Sequence, residues 1–225
     1  MLTSMGTDPI CGIIDNTKKM FDITIKDNYL TDVEQVREFA IKYNNWRISD
    51  QPDTGPRWKG MRSEKFKTIG NEDLLKIEKD LFNFIWKERK LKDWKYPSSV
   101  NYQIDETILA NGSLIDPMIT TYFHRNPART IDMLSDFYED RFHRDFLSCA
   151  GVIFLNPNPP PMTGTSILDG RNIKIINVEN VYNRLISYDG YHIHGLTGCF
   201  GDSSDTDRLT IVFFIHERVF ANGFD

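Results

Sequence analysis

His143 and Asp145 stand one residue apart in the stretch 142–156, FHRDFLSCAGVIFLN. On an extended chain residues i and i+2 project to the same side, so an imidazole and a carboxylate would point together from the head of a strand that continues through the apolar run 150–155. These are two of the three groups in the 2-His-1-carboxylate set that holds a ferrous ion and leaves positions open for small ligands. The third ligand has to come from a later strand. His192 and His194, in the sequence YHIHG, both qualify, and the residues alone leave the choice between them open. Fourteen residues beyond His194 comes Arg208, followed at i+2 by Thr210. A guanidinium beside a hydroxyl on one strand face is a receptor for a carboxylate, because the fork donates two parallel hydrogen bonds.

Positioning these groups requires several strands, and the chain supplies them. Residues 21–26 alternate and are rich in β-branched side chains, which predicts a strand. Thr31 opens TDVE, a capping box in which Glu34 would reach back to the first turn, and Val33, Val36, Phe39, Ala40 and Tyr43 then recur at helical spacing over 32–43. Residues 45–70 hold Trp46, Trp58, two prolines and three glycines and read as a long loop; Trp46, Trp58 and Arg62 are candidates to line a pocket. Residues 72–90 predict a second helix with a stripe of Leu74, Leu75, Ile77, Leu81, Phe82 and Ile85, and its lysines and glutamates opposite. After Pro97 the period becomes strand-like. Strands are expected at 100–104, 118–124, 150–155, 163–168, 173–178, 184–188, 192–195 and 209–216, with a short helix at 130–138. Helices followed by a run of short strands define an α+β chain, a sandwich or barrel buttressed by helices.

Length and composition fit one soluble domain. The 225 residues are 40% hydrophobic and 26% charged, ordinary for a globular chain. A net charge of −5 argues against a nucleic-acid footprint, which needs a basic surface; the basic run 87–95 reads as the solvated end of a helix. Three cysteines, Cys11, Cys149 and Cys199, without CxxC spacing suggest free thiols in a reducing compartment, with Cys149 a small core residue. No signal peptide or membrane-length apolar run is visible, so the expected location is cytoplasmic and no membrane partner is expected.

Taken together, His143-x-Asp145, His194 and Arg208-x-Thr210 resemble the Fe(II)/2-oxoglutarate-dependent dioxygenases, of the prolyl-hydroxylase-like and phage or marine bacterial type. The similarity covers roughly residues 98–217. The linking stretch AGVIFLN, its prolines and Thr163-Gly164-Thr165 look like a pattern found in many members. The resemblance implies a double-stranded β-helix, a jelly-roll barrel, over 98–217, with helices packed on one sheet and residues 1–97 as a supporting region of the same single domain. It implies Fe(II) on His143, Asp145 and His194, the distal carboxylate of 2-oxoglutarate on Arg208 with Thr210 assisting, O2 as the oxidant, and hydroxylation of a small molecule or protein side chain coupled to formation of succinate and CO2. Tyr102 and Gln103 are expected to contact the cosubstrate. The carboxylate at Asp145 distinguishes the chain from halogenating relatives, which carry a small residue there. The acidic loop 195–207 is expected at the barrel mouth. The competing readings are a cupin-like metalloenzyme that does not use 2-oxoglutarate, and a non-catalytic viral binding or structural protein that kept the barrel. His124 and His216 read as satisfied histidines, Arg144 as an outward-facing side chain, and Phe213, Phe214 and Ile215 as core.

Overall fold

The computed structural model describes residues 23–48, 60–89, 118–128, 142–145, 149–168 and 175–216. The expected strand at 100–104, the helix at 130–138, and Tyr102, Gln103 and Trp58 lie outside the described residues. Within them the chain is α+β, built from two mostly antiparallel sheets and three helices, and neither sheet closes on itself.

The centre is β10 (Arg208–His216), flanked on both sides by long partners: β4 (Met118–Asn126) and β5 (Cys149–Phe154). A strand buried on both faces is apolar throughout, and LTIVFFIH is such a run. Leu209, Ile211, Phe213 and Ile215 are nearly or fully buried on one face. There they meet α1 (Val33–Lys42), α2 (Phe66–Ile69) and α3 (Glu72–Arg89) through Val36, Ala40, Phe66, Leu74, Leu81 and Ile85. The opposite face carries Val212 and Phe214, which pack with Val152, Phe154, Ile186 and Tyr188 against Ile167 and Val178. The last two belong to the smaller sheet, in the order β7 (Ile175–Val178), β6 (Thr165–Leu168), β9 (Ile193–Leu196). The large sheet therefore lies between a helical layer and a second sheet.

The N-terminal stretch enters the large sheet directly. Its order is β1-β8-β5-β10-β4-β3-β2, with β1 (Thr24–Lys26) on β8 (Leu185–Tyr188) at one edge, and β3 (Met61–Arg62) then β2 (Arg47–Ile48) on β4 at the other. The segment 45–70, expected as loop, thus supplies two short strands and the turn of helix α2, which ends at Gly70 with φ 70°. Two-residue strands and a single turn are too short to show a period, so the sequence pattern hides them.

Two local expectations are corrected. The capping box does not form: no side chain caps α1, Thr31 Oγ1 donates to Asp32, and Glu34 accepts instead from the Tyr182 hydroxyl at 2.6 Å. A long-range partner has taken the carboxylate that local reasoning assigned to the cap. In α3 the buried line is Leu74, Glu78, Leu81 and Ile85, while Leu75 is 37% exposed. Asn71 Oδ1 accepts from Leu74 N–H at 3.1 Å and so starts the helix.

Glu78 is thus a carboxylate in an apolar stripe. Its nearest cation, Lys67 Nζ, is 3.8 Å away. Burial pushes its carboxyl pKa up, with Thr121 and Lys67 offsetting only part of the effect. A raised folded-state pKa means that the native state binds a proton more readily than the unfolded chain, so the penalty is present above the raised value and fades as pH falls. Glu78→Gln is expected to melt at higher temperature than the parent at pH 8, with the gap narrowing toward pH 5. Thermal melts across that range check it.

Candidate metal centre

His143 and His194 are 51 positions apart and are joined through their backbones. His143 N–H donates to the His194 carbonyl at 3.0 Å, and His194 N–H donates to the His143 carbonyl at 2.9 Å. This is the reciprocal two-bond pairing of an antiparallel ladder, made as an isolated bridge outside the strands. The pairing brings the two rings to a centroid separation of 4.6 Å. Asp145 is fixed separately by its own N–H, which donates to the Gly190 carbonyl at 2.9 Å. The His-x-Asp pair is therefore not the head of strand β5, which begins at Cys149. A single bridge and a loop hydrogen bond hold it, because its partner is the edge strand β9 of the smaller sheet and not the large sheet.

The ligating atoms converge. Asp145 Oδ1 lies 3.4 Å from His143 Nε2, and Oδ2 lies 3.0 Å from His194 Nε2; all three groups offer donor atoms within 4.8 Å of one another. Two donors each ~2.1 Å from one ion and at right angles around it would lie roughly 3 Å apart, the spacing seen here. His194 Nδ1 lies 2.8 Å from the His192 carbonyl oxygen. A carbonyl only accepts, so Nδ1 carries a proton and Nε2 is the ring nitrogen turned toward Asp145 Oδ2, which is buried. A proton or a metal ion shared between these two atoms would satisfy both. Burial alone would raise the Asp145 carboxyl, but the two facing imidazoles outweigh it and hold the group well below the usual carboxylate range. His143, Asp145 and His194 fit a metal ion on this donor chemistry.

The structure also separates the two histidine candidates. His194 is buried and joins the cluster, whereas His192 contributes its backbone carbonyl to orient the His194 ring. Arg144, between His143 and Asp145, is exposed, as expected.

Arg208 and Thr210 lie on the inner face of β10, opposite Asn126 and His124 of β4. The Arg208 guanidinium is buried, with Nε donating to the Thr163 carbonyl at 2.9 Å, Nη2 to the Gly164 carbonyl at 3.2 Å and Nη1 to Asn126 Oδ1 at 3.2 Å. Burial lowers its pKa to about 10. Three of its five N–H groups are engaged, which leaves two for a ligand. The nearby Asp207 pairs with Arg125, Nε to Oδ2 2.5 Å. Thr210 Oγ1 donates to the His124 carbonyl at 3.4 Å.

Three further groups line the same face. Tyr188 packs its ring 4.6 Å from that of His194. Asn126 bridges Arg208 to His124, whose Nε2 is 3.4 Å from the Asn126 amide nitrogen. Arg62 lies over the rings of Tyr122 and Phe214, at 5.1 and 5.5 Å; burial lowers its pKa to about 10, with Tyr122 and the charge of Asp145 offsetting part of the effect. Tyr122, His124 and Asn126 alternate in MITTYFHRN, and that i, i+2, i+4 polar pattern was the available signal for Asn126. Trp46 instead packs away from the site, with its ring against Tyr43 and Arg125 and its indole N–H donating to the Tyr43 carbonyl.

No family model matches the chain, and no curated protein matches it in sequence. Among solved structures it is similar to a prolyl hydroxylase from Trichoplax adhaerens, solved with a hypoxia-inducible factor peptide, at TM-score 0.53 and 12% identity over 86% of this chain and 83% of that one. It also matches a Pseudomonas putida prolyl-4-hydroxylase (TM-score 0.48, 12% identity, 88% and 94% covered) and the non-haem α-ketoglutarate-dependent epimerase SnoN from nogalamycin biosynthesis (0.49, 8%, 87% and 78%). The likeness to the Trichoplax enzyme shows a shared fold.

If the three donors bind one ion, saturating Fe(II) under anaerobic conditions raises the melting temperature of the parent protein. A hundredfold excess over Kd corresponds to about 2.7 kcal/mol. Asp145→Ala loses that rise, because one of the three donors is removed. Differential scanning calorimetry with and without metal measures both.

Proposed function

We propose that this chain is an Fe(II)- and 2-oxoglutarate-dependent oxygenase that hydroxylates its substrate on a double-stranded β-helix core. The observation that carries the reading is the convergence of His143, Asp145 and His194, whose ligating atoms lie within 4.8 Å of one another, with His194 Nε2 3.0 Å from Asp145 Oδ2, as a 2-His-1-carboxylate set requires. The fold shared with the Trichoplax prolyl hydroxylase supports it.

In this reading His143, Asp145 and His194 hold the ferrous ion. Bound there with 2-oxoglutarate, the ion supplies the activation of O2 that couples loss of CO2 from the cosubstrate, leaving succinate, to a two-electron oxidation of the substrate. The protein's own contributions are positional. The His192 carbonyl fixes the tautomer of His194. The imidazoles of His143 and His194 outweigh burial and hold the Asp145 carboxyl below the usual carboxylate range. Arg208, held by Thr163, Gly164 and Asn126, takes the distal carboxylate of the cosubstrate, with Thr210 beside it. Tyr188 and Phe214 present apolar ring surface near the ligands and limit water there.

Anaerobic addition of Fe(II) and 2-oxoglutarate to the apo protein is expected to develop the weak visible charge-transfer band of a metal-bound 2-oxo acid, and His143→Ala to abolish it. Admission of O2 should then release succinate. A parent protein that binds Fe(II) but gives neither band nor succinate would reject the assignment.

A further inference from the structure

Arg62 reaches the inner face of the large sheet from its edge. It stands opposite His124, which in turn stands opposite Thr210, and directly opposed residues of an antiparallel pair share a face. The guanidinium carbon lies over the rings of Tyr122 and Phe214 at 5.1 and 5.5 Å, and those two rings meet edge-on at a centroid separation of 6.4 Å. Both ring faces attract a cation, and together they fix where the charge sits. Arg62 keeps part of its surface exposed, which leaves the group reachable by a solute.

Phe214 sets that charge on the row of the sheet that backs the metal centre. Phe214 is opposite Ala150, and Ala150 is opposite Tyr188, whose ring is 4.6 Å from that of His194. With strands ~4.8 Å apart, Phe214 and Tyr188 stand about 10 Å from each other along one row. The negative charge of Asp145 acts on Arg62 and favours its charged form. Arg208 belongs to the other end of the face: its guanidinium lies over Phe154 at 5.6 Å, and Phe154 is opposite Thr210. The two guanidinium groups are therefore separate receptors. The two charges of a ferrous ion and the one of Arg208 balance Asp145 and the doubly charged cosubstrate, so the cosubstrate makes no call on Arg62. One positive charge with its donors in a planar fork matches one carboxylate.

We propose that Arg62 anchors the substrate, and that the substrate is a small carboxylic acid whose carboxylate pairs with Arg62 while a carbon a few bonds away lies at the metal centre. This rests on the oxygenase reading above and gives it a substrate class. Arg62 takes no part in metal ligation or in holding the cosubstrate.

The test uses the anaerobic protein loaded with Fe(II) and 2-oxoglutarate, so that the cosubstrate site is filled. The probes are the linear carboxylates from propanoate to hexanoate and their primary amides, titrated by the shift each causes in the charge-transfer band. Losing a hydrogen-bonded partner of a charged group lowers affinity roughly 10-fold or more. The parent is expected to bind at least one carboxylate tighter than its amide by that factor. R62Q is expected to weaken that carboxylate by the same factor and to leave the amide, Fe(II) and 2-oxoglutarate unchanged, whereas a merely structural loss would move all four. R62K keeps the charge without the fork; it is expected to fall between parent and R62Q, and it serves if R62Q does not fold. Three results would overturn the inference while the band in the parent keeps the oxygenase reading intact: no carboxylate preferred over its amide, a carboxylate that bleaches the band by displacing 2-oxoglutarate, or equal carboxylate affinity in the parent and the variants that fold. A parent that shows no band removes the oxygenase reading itself, and the inference with it.

Discussion

The arrangement depends on two backbone hydrogen bonds, between His143 and His194. They are ordinary in strength, each contributing about 1 kcal/mol net, but they decide geometry. Without them nothing among the described residues would pair the backbone of His143 with that of His194. With them the two imidazoles approach within a centroid separation of 4.6 Å, and Asp145, tied to the Gly190 carbonyl, is set against both. The large sheet contributes rigidity at one remove. Tyr188 on β8 backs the His194 ring, and β8 is itself clamped between β1 and β5.

The two faces of β10 divide the labour of the fold. Its odd-numbered residues bury against the helices and supply stability; its even-numbered residues face the smaller sheet, where Arg208 and Thr210 lie among polar partners at one end and Phe214 among rings at the other. A period of two thus lets one strand serve as core and as site wall at once. The cost is a set of buried polar groups, Arg208, Asn126, His124 and Thr210 among them. These are largely satisfied by one another and by main-chain carbonyls.

Much of this was legible in the residues. The strands with strong alternation or long apolar runs, 118–124, 150–155, 184–188 and 209–216, appear within a residue or two of their expected bounds, because burial on one or both faces writes itself into composition. The grouping of His143 and Asp145 with a later histidine was expected from type and spacing, and the three side chains do converge. The choice of His194 over His192 was not, since i and i+2 histidines are equivalent until a hydrogen bond to the main chain orients one of them. Nor were the strands at 47–48 and 61–62, whose pairing is decided by β4 and not by their own two residues. Glu34 and Glu78 went to tertiary partners or burial that no local window contains.

The edge strand β1 pairs with β8 through Thr24–Ser187 and Lys26–Leu185, and α1 is tied at one end to Tyr182 through Glu34 and by Arg37 to the Asp205 carbonyl. The first described elements thus find their partners in the last third of the chain. During synthesis at ~5–20 residues per second, they emerge from the ribosome roughly 10–30 s before those partners exist. The N-terminal strand and helix therefore reach their final places in the sheet and against it only after the last third of the chain has been made.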